Sequence, residues 1–278
     1  MKIQFLGTGA AEGVPAMFCN CDNCIQIRRL GESEFRTRSQ VLIDGCLSVD
    51  FPPEAYVHSL KNGINLSALK YLLVTHSHMD HFYAHDFILR GYKYAKVEED
   101  VLHVYGNSEV ASVFKECTAR EMKPDVAPHL SFTELKPYQA LTFGEYKVLT
   151  IPAQHSKTED CLLYYIEKDG KGYLHLYDTG RIEERAFEFL AEHGAKAQAV
   201  AFDCTFAENT AGAVSRHMGI EDDMAMKQKL LDYKIIDGSA KIIITHFSHN
   251  CNPTREHLKN IENKYSVTAA YDGFEVDI

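Results

Sequence analysis

The stretch "LLVTHSHMDH", residues 72–81, constrains this chain more than any other. An apolar run stops at Thr75, and His76, His78, Asp80 and His81 follow within six residues. Such a run, ending abruptly in polar residues, reads as a buried strand entering a turn. In extended chain, residues i and i+2 project to the same side, so His76 and His78 can grip one metal ion together. The turn that follows can aim Asp80 and His81 at a second ion alongside. A solitary histidine is ordinarily a satisfied core or surface residue. Three histidines and an aspartate directly after a buried strand fit a metal centre better.

Four side chains cannot close two ions. Three further apolar runs end in the same way: "LTIPAQHS" (149–156) delivers His155, "LHLYDTG" (174–180) delivers Asp178 and "KIIITHFS" (241–248) delivers His246. HxHxDH after an apolar strand, with later His, Asp and His at strand ends, resembles the metallo-β-lactamase superfamily. "FLGTGAAEG" and "SQVLIDG" resemble that family's opening strands, and the resemblance covers nearly the whole chain. It implies an α/β fold, a four-layer αββα sandwich with a dinuclear site at one edge of its two sheets. It also implies the ligand split: His76, His78 and His155 on one ion, Asp80, His81 and His246 on the other, Asp178 bridging. Two cations roughly 3.5–4 Å apart lower the pKa of a shared water and clamp attacking and leaving oxygens. Imidazole and carboxylate ligands suit Zn²⁺, Mn²⁺ or Fe²⁺, and the sequence does not choose among them. An aspartate bridge, in place of cysteine, resembles the phosphodiesterase and hydrolase branches.

A second constellation is "FCNCDNC" (18–24), which spaces Cys19, Cys21 and Cys24 as CxCxxC. Thiolates are soft ligands that favour zinc, and Cys₃His is a common closed structural set. The fourth ligand is expected from "IITHFSHNC" (243–251). His246 follows the strand and belongs to the dinuclear site; His249 can face away and reach the N-terminal loop, with Cys251 the second candidate. A structural zinc there would tie the loop 19–24 to a segment carrying a catalytic ligand. CxCxxC with this HxxH narrows the resemblance to the phosphoribosyl 1,2-cyclic phosphate phosphodiesterase branch. The related pyrroloquinoline quinone accessory branch shares the cysteine loop, but its active-site ligands are expected to be degraded, whereas here the set is intact.

The resemblance therefore implies a small cyclic phosphodiester substrate and two catalytic residues. Asp80 acts through its metal, and His217, in "FDCTFAENTAGAVSRHMGI" (202–220), serves as general acid. Asp203 and Asp44, at strand ends, are candidates to orient ligand histidines, although Asp44 is also an ordinary turn former. His85 is expected near the pocket mouth; the other histidines, His58 and His175 among them, have no partner pattern and read as surface or core. Rival readings are a ribonuclease Z-like tRNA-processing nuclease, a thioester or lactone hydrolase, and a non-catalytic metal-binding accessory protein. The first needs a basic, glycine-rich arm, and no segment has that composition.

The chain's 278 residues carry a net charge of −10, which repels phosphate backbones and disfavours nucleic-acid partners. No apolar run approaches the roughly 20 residues of a membrane span. "MKIQFLGTGA" is too short in its apolar part for a signal peptide. A reducing, cytoplasmic setting follows, with the eight cysteines as thiols or ligands. Cys46, Cys117, Cys161 and Cys204 read as buried small hydrophobes. The family often forms homodimers, and the oligomeric state is left open.

Strands are expected at 2–6, 40–44, 47–51, 70–75, 101–106, 146–151, 161–167, 172–178, 199–203 and 241–245. Helices are expected at 181–194, 220–233 and 252–265, so the first half reads as mostly strand. Without repeats or a linker, residues 1–278 are expected to form one domain of two packed sheets.

Overall fold

A computed structural model describes residues 1–98, 100–209 and 215–278. Fourteen strands among them form two seven-stranded sheets. The first has the order β14 (Phe274–Asp277), β1 (Lys2–Gly7), β2 (Gln40–Ile43), β3 (Leu47–Val49), β4 (Tyr71–Leu73), β5 (Leu102–Gly106), β6 (Leu130–Glu134). The second runs β13 (Thr268–Ala269), β12 (Lys241–Thr245), β11 (Ala199–Asp203), β10 (Lys171–Leu176), β9 (Leu162–Lys168), β8 (Tyr146–Pro152), β7 (Ala140–Phe143). Each sheet has an antiparallel half and a parallel half. β3 through β6 are parallel in the first, and β10 through β13 in the second.

The alternation of side chains along each strand decides the layering. Ile3, Val41, Ile43 and Leu73 pack against Leu162, Tyr164, Ile166, Ala201 and Ile243 in one core between the sheets. The neighbouring positions face outward. Leu163, Leu174, Val200 and Ile244 meet helices α4 (Glu184–Glu192), α5 (Ile220–Asp232) and α6 (Arg255–Tyr265). On the other side Leu42, Leu72 and Val104 meet α2 (Ala55–Asn62) and α3 (Ser108–Ala119). Strands apolar at every position are thus buried on both faces, as parallel strands covered by helices must be. The result is the expected four-layer αββα sandwich.

All ten expected strands and the three expected helices are present. Four strands (β6, β7, β13, β14) and three helices were not expected: α1 (Asp22–Leu30), α2 and α3. The first half is thus less exclusively strand than its apolar runs indicate. Cys46 and Cys117 are only half-buried, while Cys161 and Cys204 are buried as read. Among the described residues no helix is long and apolar enough to cross a membrane.

β1 approaches β2 so closely at its end that a Cβ on Gly7 would lie 1.9 Å from the Arg38 carbonyl oxygen. No side-chain rotation relieves a backbone contact. Gly7→Ala is expected to lower the unfolding free energy by about 1–3 kcal/mol, read from chemical denaturation.

Candidate metal centre

Each sheet delivers ligands from strand ends at one edge of the sandwich. In the first sheet β4 ends at Leu73, and the loop beyond carries His76, His78, Asp80 and His81. In the second, the chain reaches His155 beyond β8, Asp178 beyond β10 and His246 beyond β12. Asp178 and His246 have positive φ (54° and 62°), as does Asp50 (63°) beyond β3. Aspartate and histidine tolerate this left-handed region better than most residues. The chain turns sharply there as it leaves the strand.

Two groups of ligand atoms form, each mutually within 4.8 Å: His76, His78, His155 and Asp178, and Asp80, His81, Asp178 and His246. All seven residues named from the sequence fall in these two groups, with Asp178 common to both; a further overlapping group joins Asp178 and His246 to Asp203 and His217. In the first group His76 Nε2 lies 2.9 Å from His78 Nδ1 and 3.3 Å from Asp178 Oδ2, and His155 Nε2 lies 3.2 Å from His78 Nδ1. In the second, His81 Nε2 lies 3.2 Å from Asp80 Oδ2 and 3.1 Å from Asp178 Oδ2, and His246 Nε2 lies 3.8 Å from Asp178 Oδ2.

Not all of these atoms find a partner among themselves. His81 Nε2, His155 Nδ1, His246 Nε2 and Asp178 Oδ1 are buried and make no aligned hydrogen bond. A buried polar group left unpaired costs about 1–3 kcal/mol. Four such atoms spread over the two groups call for cations, and all-imidazole-and-carboxylate donors suit Zn²⁺, Mn²⁺ or Fe²⁺. The residues therefore fit two divalent metals.

Neighbouring groups fix the ligand rings. His81 Nδ1 lies 2.7 Å from Asp50 Oδ2, and Thr75 donates from its hydroxyl and backbone N–H to the same carboxylate. Thr75 Oγ1 also lies 2.9 Å from His76 Nδ1. On the other side Thr205 Oγ1 is 2.8 Å from His246 Nδ1, with Asp203 Oδ2 at 3.6 Å. Holding the second ring nitrogen in this way sets tautomer and orientation. Asp203 thus sits where the sequence reading put it, but Asp44 does not. Asp44 lies in the β2–β3 turn, accepts from Lys2 N and Tyr146 Oη and pairs with Lys168, so it is the turn former. Asp50 was missed, although "LSVDF" ends an apolar run in an aspartate as Asp178 and Asp203 do.

His217 stands at the rim with its side chain 25% exposed. Its Nδ1 lies 3.1 Å from both Asp178 Oδ1 and Asp203 Oδ2. Burial alone would lower its pKa, but the adjacent Asp178 and Asp203 carboxylates push it up to about 10. Residues 210–214 of its loop lie outside the described residues. His85 is exposed, its ring 5.1 Å from that of Tyr83 and tilted against it, and it belongs to neither ligand group.

A model of the beta-lactamase superfamily domain matches residues 39–247, which span every one of the seven ligands. The chain belongs to this superfamily. A search of curated proteins finds no match. Among solved structures it is similar to a diphosphatase of the PhnP family, at 19% identity and TM-score 0.72 over 100% of this chain and 97% of that one. Zn²⁺-bound PqqB from Methylobacterium extorquens is similar at 18% and 0.74 over 100% of both. The short form of human tRNase Z is similar at 15% and 0.70 over 100% and 99%.

Beside the superfamily site lies the cysteine group, in which Cys19, Cys21, Cys24 and His249 bring their ligand atoms within 4.8 Å of one another. Cys24 Sγ is 3.3 Å and Cys21 Sγ 3.6 Å from His249 Nδ1. Cys251 is not in this group, its Sγ accepting instead from Asn209 Nδ2 at 3.5 Å. The loop expected over 19–24 ends earlier than that, because α1 begins at Asp22. Cys21 is the N-cap of α1 and Cys24 lies in its first turn. The Cys24 backbone N–H, with help from His249, holds the Cys21 thiol down at about 6, the thiolate form that a soft cation needs. Metal analysis is expected to find one zinc that survives mild chelation in the native protein and is lost in Cys21→Ser; an unchanged zinc content in that variant would count against the site.

Proposed function

We propose that this chain is a metal-dependent phosphodiesterase that cleaves a small, cyclic phosphodiester of the phosphoribosyl 1,2-cyclic phosphate type. The observation that carries this is the pair of ligand groups sharing buried Asp178, with a carboxylate-held histidine at their rim. Two divalent cations, Zn²⁺, Mn²⁺ or Fe²⁺, would supply an activated water and the charge that steadies the phosphoryl oxygens. The chain's own residues do the rest. His76, His78, His155, Asp80, His81 and His246 fix where that charge sits, and Asp178 fixes the spacing between its halves. Asp50, Thr75, Asp203 and Thr205 keep the rings from turning.

His217 is the general acid. Its Nδ1 is held against Asp178 and Asp203, which leaves Nε2 to give its proton to the departing alkoxide. The net charge of −10 favours a small diester over a nucleic acid. The diphosphatase and tRNase Z resemblances rest on shared fold, so the substrate class is taken from the family resemblance that the CxCxxC and HxxH pattern carries. In this reading the cysteine group holds a structural zinc and the enzyme works in the cytoplasm; the family resemblance allows a homodimer.

Hydrolysis of bis(p-nitrophenyl) phosphate with added Mn²⁺ or Zn²⁺ is expected, and Asp80→Ala should reduce it by more than the roughly 100-fold typical of losing an outer partner. Inactivity of the native protein across metals rules the reading out; a preference for precursor tRNA over cyclic phosphates in the same screen turns it toward the nuclease. His217→Ala should slow diesters with poor alkoxide leaving groups by about 10²–10⁴, while aryl esters, whose leaving groups need no proton, lose less than about tenfold. Equal losses on both classes would remove His217 from the acid role.

A further inference from the structure

The metal-ligating histidines are not held alike. His81 and His246 each have a partner on the second ring nitrogen, and His76 has Thr75. His78 is exposed, and among the described residues its ring meets only His76 and His155, both through Nδ1. No side chain among the described residues orients it from behind. Something else must keep this ligand in place, because an unrestrained imidazole on a surface loop gives up rotamer freedom each time it binds.

What is fixed instead is the backbone beside it. Ser77, between His76 and His78, donates its N–H to Glu159 Oε1 at 2.7 Å and its hydroxyl to Glu159 Oε2 at 2.8 Å. Glu159 Oε1 also accepts from Asn107 Nδ2 at 2.9 Å. Asn107 is itself anchored: it caps α3 through Glu109 N and Val110 N and donates to the Asp160 carbonyl. Glu159 lies four residues beyond His155, on the same loop between β8 and β9. One carboxylate therefore joins the His76–His78 loop of the first sheet to the His155 loop of the second. Those three histidines, with Asp178, make up the first ligand group.

We propose that Glu159 is the positioning residue of the first metal site. It sets the distance between His78 and His155 by pinning their loops, in place of a partner on the His78 ring. The second site, whose histidines are oriented by Asp50, Thr205 and Asp203, does not depend on it. This inference rests on the two-metal reading above.

The test separates the two sites with Mn²⁺, a hard cation that the thiolate group does not favour. His246→Ala leaves the first site, and His155→Ala leaves the second; Mn²⁺ binding is followed in each by electron paramagnetic resonance and calorimetry. Glu159→Gln is expected to weaken Mn²⁺ binding by about 10–100-fold in the His246→Ala background, and by less than about twofold in the His155→Ala background. Ser77→Ala, which removes only the hydroxyl bond, should give a smaller loss confined to the same background. Metal-free thermal unfolding confirms that each variant is folded. Equal weakening in both backgrounds, or none in either, overturns the role of Glu159. If the single-site backgrounds with Glu159 intact bind no Mn²⁺, the two-metal reading falls instead, and this inference with it.

Discussion

The structure depends on one buried carboxylate. Asp178 is 4% exposed and lies within 4 Å of five histidines: His76, His81, His155, His217 and His246. A buried charge without partners costs several kcal/mol even after relaxation. The sandwich therefore cannot close over Asp178 unless cationic or metal-bound groups close with it. Those groups come from both sheets, so the constraint on one side chain becomes a constraint on how the sheets are set against each other.

The two sheets meet this demand through their shared core. Tyr164, between the layers, donates to the Val74 carbonyl at 2.6 Å, and Leu162 N donates to Thr75 O at 2.8 Å. Both contacts sit directly before the HxHxDH loop. At the other ligand, Phe247 pairs with the Thr8–Ala10 segment through Phe247 N to Thr8 O and Ala10 N to Phe247 O. Arg36 lies over the Phe247 ring at 4.6 Å and donates to Thr8 Oγ1 and the Ala270 carbonyl. The residues next to His76 and His246 are thus cross-linked between sheets. A cysteine-bound cation at His249, three residues from His246, would add one more tie to the same segment.

Much of this was legible because one pattern repeats. An apolar run that ends in His or Asp marks a strand delivering a ligand to the sheet edge, and it locates His76, His155, Asp178, Asp203 and His246 alike. The pattern is physical: strands buried on both faces must be apolar throughout, so polarity returns where the strand leaves the core. It also explains the failures. Asp44 and Asp50 both end apolar runs, six residues apart, one in the β2–β3 turn and one beyond β3 at the open end of the hairpin, and the sequence does not say which end of the hairpin faces the metals. Helices α1 to α3 were missed because their apolar residues are interrupted by polar or β-branched ones, and α1 opens on cysteines whose spacing reads as ligand geometry in any conformation. Glu159 left no signal, since its role comes from where two loops meet and not from anything local to "HSKTEDC".

The same strand ends carry backbone strain. Asp50, Asp178 and His246 all sit at positive φ, where a residue with a Cβ pays about 1–2 kcal/mol relative to right-handed conformations. Glycine would relieve each, but glycine supplies no ligand and no orienting carboxylate. Three such positions around one centre form the arrangement expected where function, not stability, has chosen the residue. The remaining contacts must therefore over-determine these conformations. The bonds from Thr75 to Asp50, from Thr179 N and Thr205 N to Asp203, and from Thr205 to both the ring and the carbonyl of His246 do so. Threonine recurs beside the strained residues because it offers a rigid, β-branched hydroxyl whose preferred rotamers are few. The ligands are held at the sheet edge by a ring of short side chains with little freedom to lose, and that ring makes it feasible to gather the buried charge of the site before any cation arrives.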